Sequence, residues 1–163
     1  TPHEAAASLT RFPERSGPDP APPFVVPPAE AQAFRRESRG LPEEERRKRQ
    51  QELQRREREA VQRLTAWWAE RMSTTPHPLE EKMTLFWQGH FAVSAQKVKS
   101  SASVYQYNDL LRRHAVGDIK ALAIAVGQSP AMLTYLDNAR STKAKPNENW
   151  ARELMELFTL GEG

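Results

Sequence analysis

The chain has no cysteine among its 163 residues. That excludes disulfides, thiol nucleophiles and thiolate metal sites. It has no apolar run of about 18 residues, so no segment reads as a membrane-spanning helix. Catalytic signatures are also missing: there is no HExxH, no GxSxG, no phosphate-binding glycine-rich loop and no EF-hand loop. Charge of one sign is lacking as well. Twenty-four basic residues face 21 acidic ones, for a net charge of +3. The pI of 9.4 does not by itself indicate a nucleic-acid binder, which gathers its basic charge on one face. No alternating apolar pattern bounded by hairpin turns occurs, which leaves an all-α fold class. No secretory leader is visible. The first residue is Thr rather than Met, which reads as a trimmed or processed piece.

Proline is abundant but concentrated. Eight of the 13 prolines fall in residues 1–28, and PDPAPPFVVPP cannot hold a helix or complete a sheet ladder. The segment reads as an extended arm that Phe24, Val25 and Val26 dock onto the body, followed by a short helix around 29–38. Residues 1–40 thus form a Pro-rich arm, and 41–163 a helical domain.

The domain opens with LPEEERRKRQQELQRREREAVQRLTAWWAERM, which predicts one long helix over about 42–73. Pro42 suits the first turn, and Glu43, Glu44 and Glu45 complement the positive end of the helix dipole. Glu43–Arg47, Glu44–Lys48, Glu45–Arg49 and Glu52–Arg56 are i,i+4 pairs in the favourable order. Between 43 and 56 only Leu53 is apolar, so this half is expected to project with few tertiary contacts. The second half carries Ala60, Val61, Leu64, Trp67, Trp68 and Met72 and is expected to pack.

A helix restarts at Pro78. On a helical wheel Leu79, Met83, Phe86 and His90 lie within about 40° of one another, which puts His90 in an apolar stripe. VYQYNDLLRRHAVG is a further helix closed at Gly117. Asp118 caps IKALAIAVG, which reads as buried, and Ser129-Pro130 opens AMLTYLDN. Ser94, Ser100, Ser101 and Ser103 read as loop. Asn147 caps a last helix that ends at Gly161 and has Trp150, Leu157 and Phe158 on its apolar arc. The whole is an irregular multi-helix bundle with one long, charged, partly projecting helix.

Three blocks, PLEEKMTLFWQGHF, PAMLTYLDN and PNENWARELMELFTLGEG, occur in the order and at the intervals of a bacterial family. With WWAERM, QKV and the Tyr-Gln-Tyr-Asn of YQYNDLLRRHAVG, residues 60–163 resemble the domain-of-unknown-function family numbered eighteen hundred. Members often carry two histidines where this chain has Gln88 and His90, so a paired-His metal site is not expected. Gln88 also lies about 160° from His90 on the wheel. The resemblance implies that a further helical half follows. The expected partner is therefore that half or another protein chain. Members are often exported, which favours an envelope or extracellular setting. The family name itself implies no activity.

The candidate catalytic residues are His90, Glu153 and Asp137; the candidate polar network is Asn138, Asn147, Glu148, Asn149, Arg152 and Glu156. Glu153 and Glu156 are i,i+3 neighbours whose carboxylates could share a proton or a hard cation. Glu148–Arg152–Glu156 equally makes a surface ion ladder, and Arg152 with Glu153 equally makes a buried network to the 135–138 segment. No metal and no cofactor is expected. Three functions stand open: a helical scaffold or interaction module, an enzyme whose acid/base site is completed by further residues, and a nucleic-acid binder, which the mixed charge argues against. Trp150, Leu157 and Phe158, and next Trp67 and Trp68, are expected to expose apolar surface.

Overall fold

The computed structural model describes residues 17–138, 141–143 and 145–156, together with Glu4 and Phe12. The expected roles of Leu157, Phe158 and Gly161 lie outside these residues. Among them the chain forms α1 (Pro28–Ser38), α2 (Glu43–Thr74), α3 (Pro78–His90), α4 (Ala95–Val98), α5 (Ser101–Arg113), α6 (Ile119–Gln128), α7 (Pro130–Tyr135) and α8 (Glu148–Met155). No strand occurs among the described residues, only an isolated pairing of Thr142 with Lys145. The fold is all-α.

Helix starts follow local chemistry. Asp118 accepts the Lys120 amide at 2.8 Å, Ser129 the Met132 amide at 3.2 Å and Asn147 the Trp150 amide at 3.3 Å, which satisfies donors that each helix leaves orphaned. Pro78 and Pro130 occupy first-turn positions. The serines expected in a loop are instead two helix starts. Ser94 caps α4 and Ser100 caps α5, while Ser101 and Ser103 lie inside α5.

The polar-looking α5 is the central helix, packed by α2, α3, α4, α6 and α7. It buries Ala102, Tyr105, Tyr107 and Leu111, and also Ser101, Asn108, Asp109 and Arg112. The apolar IKALAIAVG helix, expected to be buried, is peripheral. α6 buries Leu122, Val126 and Gly127, but Ile119 and Ile124 are 56% and 52% exposed. The main core joins Phe91, Tyr107, Leu111, Leu122, Val126 and Met132. Fully burying a side chain such as Leu111 contributes about 1.5–3 kcal/mol.

Two smaller clusters run along α2. Val25, Leu64, Ala102 and Tyr105 make one. Val26, Ala31, Leu53 and Ala60 make the other. Both arm valines are therefore core residues. The helix α1 lies on α2, where Arg49 meets Glu37 at 3.4 Å and Arg56 meets Glu30 at 2.6 Å. Of the expected i,i+4 pairs, Glu44–Lys48 forms at 3.0 Å. Arg49 and Arg56 turn instead to the carboxylates that α1 brings alongside. Residues 43–48 are exposed, but the expected lack of tertiary contacts fails from Arg49 onward.

Candidate functional site

The expected apolar stripe of α3 does not face inward. Its buried residues are Glu80, Glu81 and Thr84, roughly 90–170° around the wheel from the arc of Leu79, Met83, Phe86 and His90. His90 is exposed at the end of α3, with its ring edge-on to Phe91 at 4.7 Å and to Trp87 at 6.0 Å. The reason is electrostatic. Arg71 and Arg112 face this side of α3, and a carboxylate between them stabilises the packing more than an aliphatic side chain there would.

Glu81 is the centre of the buried polar layer. Its side chain is 2% exposed, and that of Arg112 is 0% exposed. Oε1 accepts from Arg112 Nε at 2.6 Å and from Arg71 Nε at 2.6 Å. Oε2 accepts from the Trp68 indole N–H at 2.8 Å and from Arg112 Nη2 at 3.2 Å. Arg112 Nη2 also donates to Asn108 Oδ1 at 2.6 Å. Helices α2, α3 and α5 are thereby tied at one point. Four donors fill the roughly four lone-pair sites of one carboxylate. Among the described residues Arg112 Nη1 has no hydrogen-bond partner, though the guanidinium carbon lies 5.8 Å from the Trp67 ring centroid, within cation–π range.

The arm closes over this layer. Asp19 pairs with Arg71 at 3.3 Å, and its amide donates to Asp109 Oδ1 at 3.3 Å. Tyr105 donates its hydroxyl to the Asp19 and Pro20 carbonyls, each at 3.0 Å. Burial, with the charges of Asp109 and Asp19, pushes the Tyr105 phenol up to about 12. A second buried carboxylate, Glu57, accepts both the amide and the hydroxyl of Ser101, at 2.7 and 2.6 Å. The same hydroxyl oxygen accepts the Val26 amide at 3.1 Å. Glu57 thus sits at the start of α5, where the helix dipole favours an anion.

Burial works against the Glu81 charge, but the hydrogen bonds from Arg112 and Arg71, the Arg112 charge and the Trp68 bond together hold its carboxyl below the ordinary carboxylate range. A group whose folded value is depressed stabilises the fold above its unfolded value and loses that contribution as pH falls through the folded one. His114, held low by burial and by Arg113, acts in the same direction. The melting temperature is therefore expected to fall as pH drops from neutral through the carboxylate range. In Glu81→Gln the same scan should be flatter. A parallel pair of curves would show that Glu81 does not carry the effect.

The remaining expected site residues are dispersed over the surface. Asp137 is exposed, has a left-handed backbone with φ of 58° and pairs with Lys97 at 2.8 Å. Asn138 is half-buried, and its carbonyl accepts the Ser141 amide at 2.9 Å. Asn147 does more than cap α8: its Nδ2 donates to the Leu136 carbonyl at 2.7 Å. It makes the tie to the 135–138 segment that Arg152 and Glu153 were expected to make. Arg152 is instead 61% exposed, donating to Asn149 at 2.7 Å and lying 3.7 Å from Glu153. Glu148, Asn149 and Glu156 are exposed. The buried arginine fork belongs to Arg112, and Arg152→Lys should now shift stability by no more than about 0.5 kcal/mol. Among the described residues no cluster of three His, Asp or Glu side chains could hold a metal ion, and no helix is long and apolar enough to cross a membrane.

Sequence reasoning missed the layer because Glu80 and Glu81 suit a first helical turn, and Arg71 and Arg112 lie 10 and 31 residues from Glu81. A usable signal was present. Trp68, Glu81 and Asn108 fall in segments that carry the family resemblance, WWAERM, PLEEKMTLFWQGHF and the Tyr-Gln-Tyr-Asn of YQYNDLLRRHAVG, and Arg112 lies one helical turn after Asn108.

Neither the curated proteins nor the solved structures give a match to this chain. A family model described as "Protein of unknown function (DUF1800)" matches residues 3–163, so the arm and charged helix that carried little of the resemblance are included. The chain belongs to that family.

Proposed function

We propose that the chain is a helical scaffold and interaction module that packs an apolar face of α3 and α6 against another protein surface, whether from further residues of its own polypeptide or from a second chain. The observation that carries the reading is the division of its side chains. The buried charges of the α2–α3–α5 layer are consumed by one another, while large apolar groups are left outside.

Leu85 and Phe86 on α3 are 51% and 56% exposed, and Val116 and Ile119 near the start of α6 are 37% and 56% exposed. Trp87 links the two sets. Its ring lies 4.9 Å from that of Phe86, and its indole donates to the Ala115 carbonyl at 3.0 Å, one residue before Val116. Several large apolar side chains left exposed on neighbouring segments are characteristic of protein contact. Of the residues expected to expose apolar surface, Leu157 and Phe158 lie outside the described residues, and the others are more covered. Trp150 is half-buried against the main core, and Trp67 and Trp68 are half-buried too. An acid/base site of His90 with Glu153 or Asp137 has less support, because Asp137 is engaged by Lys97 and His90 lies open among aromatic rings. An exported or envelope setting rests on the family resemblance alone.

The test is Nile red, an uncharged reporter of apolar surface, with Phe86→Ser/Ile119→Ser. The parent chain should enhance its fluorescence. The variant should lose most of that signal at an unchanged melting temperature, since both side chains are more than half exposed. Equal signal from parent and variant would remove the basis for the reading.

A further inference from the structure

A groove of about 670 Å³ lies between α1, the first half of α2 and the α4 turn. It is separate from the Glu81 layer and from the apolar face of α3 and α6. Its apolar lining includes Phe34, Leu53 and Val61. Arg35, Arg39, Arg46, Arg58 and Lys99 also line it, and all five are exposed. One carboxylate faces these five cations: Glu57, buried, with its Oε2 already accepting two bonds from Ser101.

The five cations differ from four of their neighbours. Lys48, Arg49, Arg55 and Arg56, on the same stretch of α2 but outside the groove, each pair with a glutamate. None of the five groove cations has an ion pair or a side-chain hydrogen bond among the described residues. The segment 43–59 is close to neutral in sequence, yet the fold sorts it. Glu44 pairs with Lys48, Glu52 and Glu59 pair with Arg55, and Arg49 and Arg56 pair with the α1 carboxylates, while the five groove cations line an apolar trough.

We propose that this groove binds an amphiphilic organic anion: an apolar body of fatty-acid size seated on Phe34, Leu53 and Val61, with a carboxylate or phosphate head among the rim cations. Size supports a small ligand over a docked helix. Small-molecule sites span roughly 300–1,000 Å³, whereas a helix about 10 Å across needs more room than this groove offers. Arginine forks suit planar or tetrahedral oxyanions. The same chemistry is offered by a free long-chain carboxylate and by an anionic lipid in a bilayer. The proposal does not depend on the apolar face of α3 and α6.

The experiment is calorimetric titration of the chain with decanoate, kept below its micelle-forming concentration. Decanol and inorganic phosphate serve as controls for apolar body and anion alone. Decanoate should bind at least about tenfold more tightly than either control. Arg46→Glu/Arg58→Glu should weaken it by about tenfold or more, the scale of two partly exposed charge contacts, with melting temperature unchanged. If that variant does not fold, Arg46→Gln/Arg58→Gln takes its place and should show a smaller loss in the same direction. Vesicles of phosphatidylglycerol that compete with decanoate, where phosphatidylcholine vesicles do not, would identify a bilayer lipid as the source. Absence of competition, with decanoate still bound, would identify a free carboxylate. Equal binding of decanol or phosphate, undiminished binding by the variants, or no decanoate binding would overturn the proposal.

Discussion

Glu81→Gln should destabilise the fold by about 3–5 kcal/mol, because it leaves two guanidinium groups facing one another without their shared anion. For a chain of this size that is a fall of roughly 10 °C or more in melting temperature. The amide can accept on one side only. Arg112, with a side chain that is 0% exposed, cannot turn to water for the bonds it loses. Arg112→Met should cost less. It leaves Glu81 still bonded to Arg71 and Trp68, and methionine fills the space with an adaptable apolar chain. Chemical denaturation of the two variants tests the order. Arg112→Met proving the more damaging would mean that the guanidinium, rather than the carboxylate, organises the layer.

The second large effect is expected at Glu57. Glu57→Gln should cost about 1–3 kcal/mol, the range for a charged hydrogen bond lost at a buried site. Its position adds a specific consequence. The Ser101 hydroxyl donates to Glu57 and accepts from the Val26 amide, so the carboxylate orients the group that latches the arm. Hydrogen exchange at Val26 should therefore accelerate in Glu57→Gln more than exchange within the main core around Leu111. Equal acceleration at both places would indicate general loosening and no latch.

Features governed by neighbours in sequence were legible. Asp118, Ser129 and Asn147 cap the helices assigned to them, and Pro78 and Pro130 mark their starts, because a cap needs only the next three residues. The docking of Val25 and Val26 was legible too, since two adjacent valines among prolines have little reason to stay in water. What failed was the choice of face. The wheel of α3 offered an apolar arc through Leu79, Met83, Phe86 and His90, and hydropathy alone selects it. The fold buries Glu80, Glu81 and Thr84 instead, because Arg71 and Arg112, 10 and 31 residues from Glu81, supply partners that no local window contains. The same reliance on hydropathy misplaced α6. A helix full of Tyr, Asn and Arg is central because its polar groups are mutually satisfied, and the most apolar helix lies outside.

The candidate site followed the same logic. The Asn, Glu and Arg of PNENWARELMELFTLGEG looked like chemistry because they are dense. Among the described residues only Asn147 reaches beyond its own helix to the 135–138 segment, at Leu136, while Arg152 stays near its own turn. Density of polar residues on one helix is weak evidence for a site. Polar residues distant in sequence, converging on one buried carboxylate, are what position this fold.

The most direct test of that claim is a double-mutant cycle between Glu81 and Arg112. Denaturant unfolding free energies would be measured for the parent chain, Glu81→Gln, Arg112→Met and the double variant. The buried pair predicts strong coupling, about 2 kcal/mol or more, so that the double variant is far less unstable than the two single losses combined. Losses that add to within about 0.5 kcal/mol would contradict it and would mean that the layer does not hold α3 to α5.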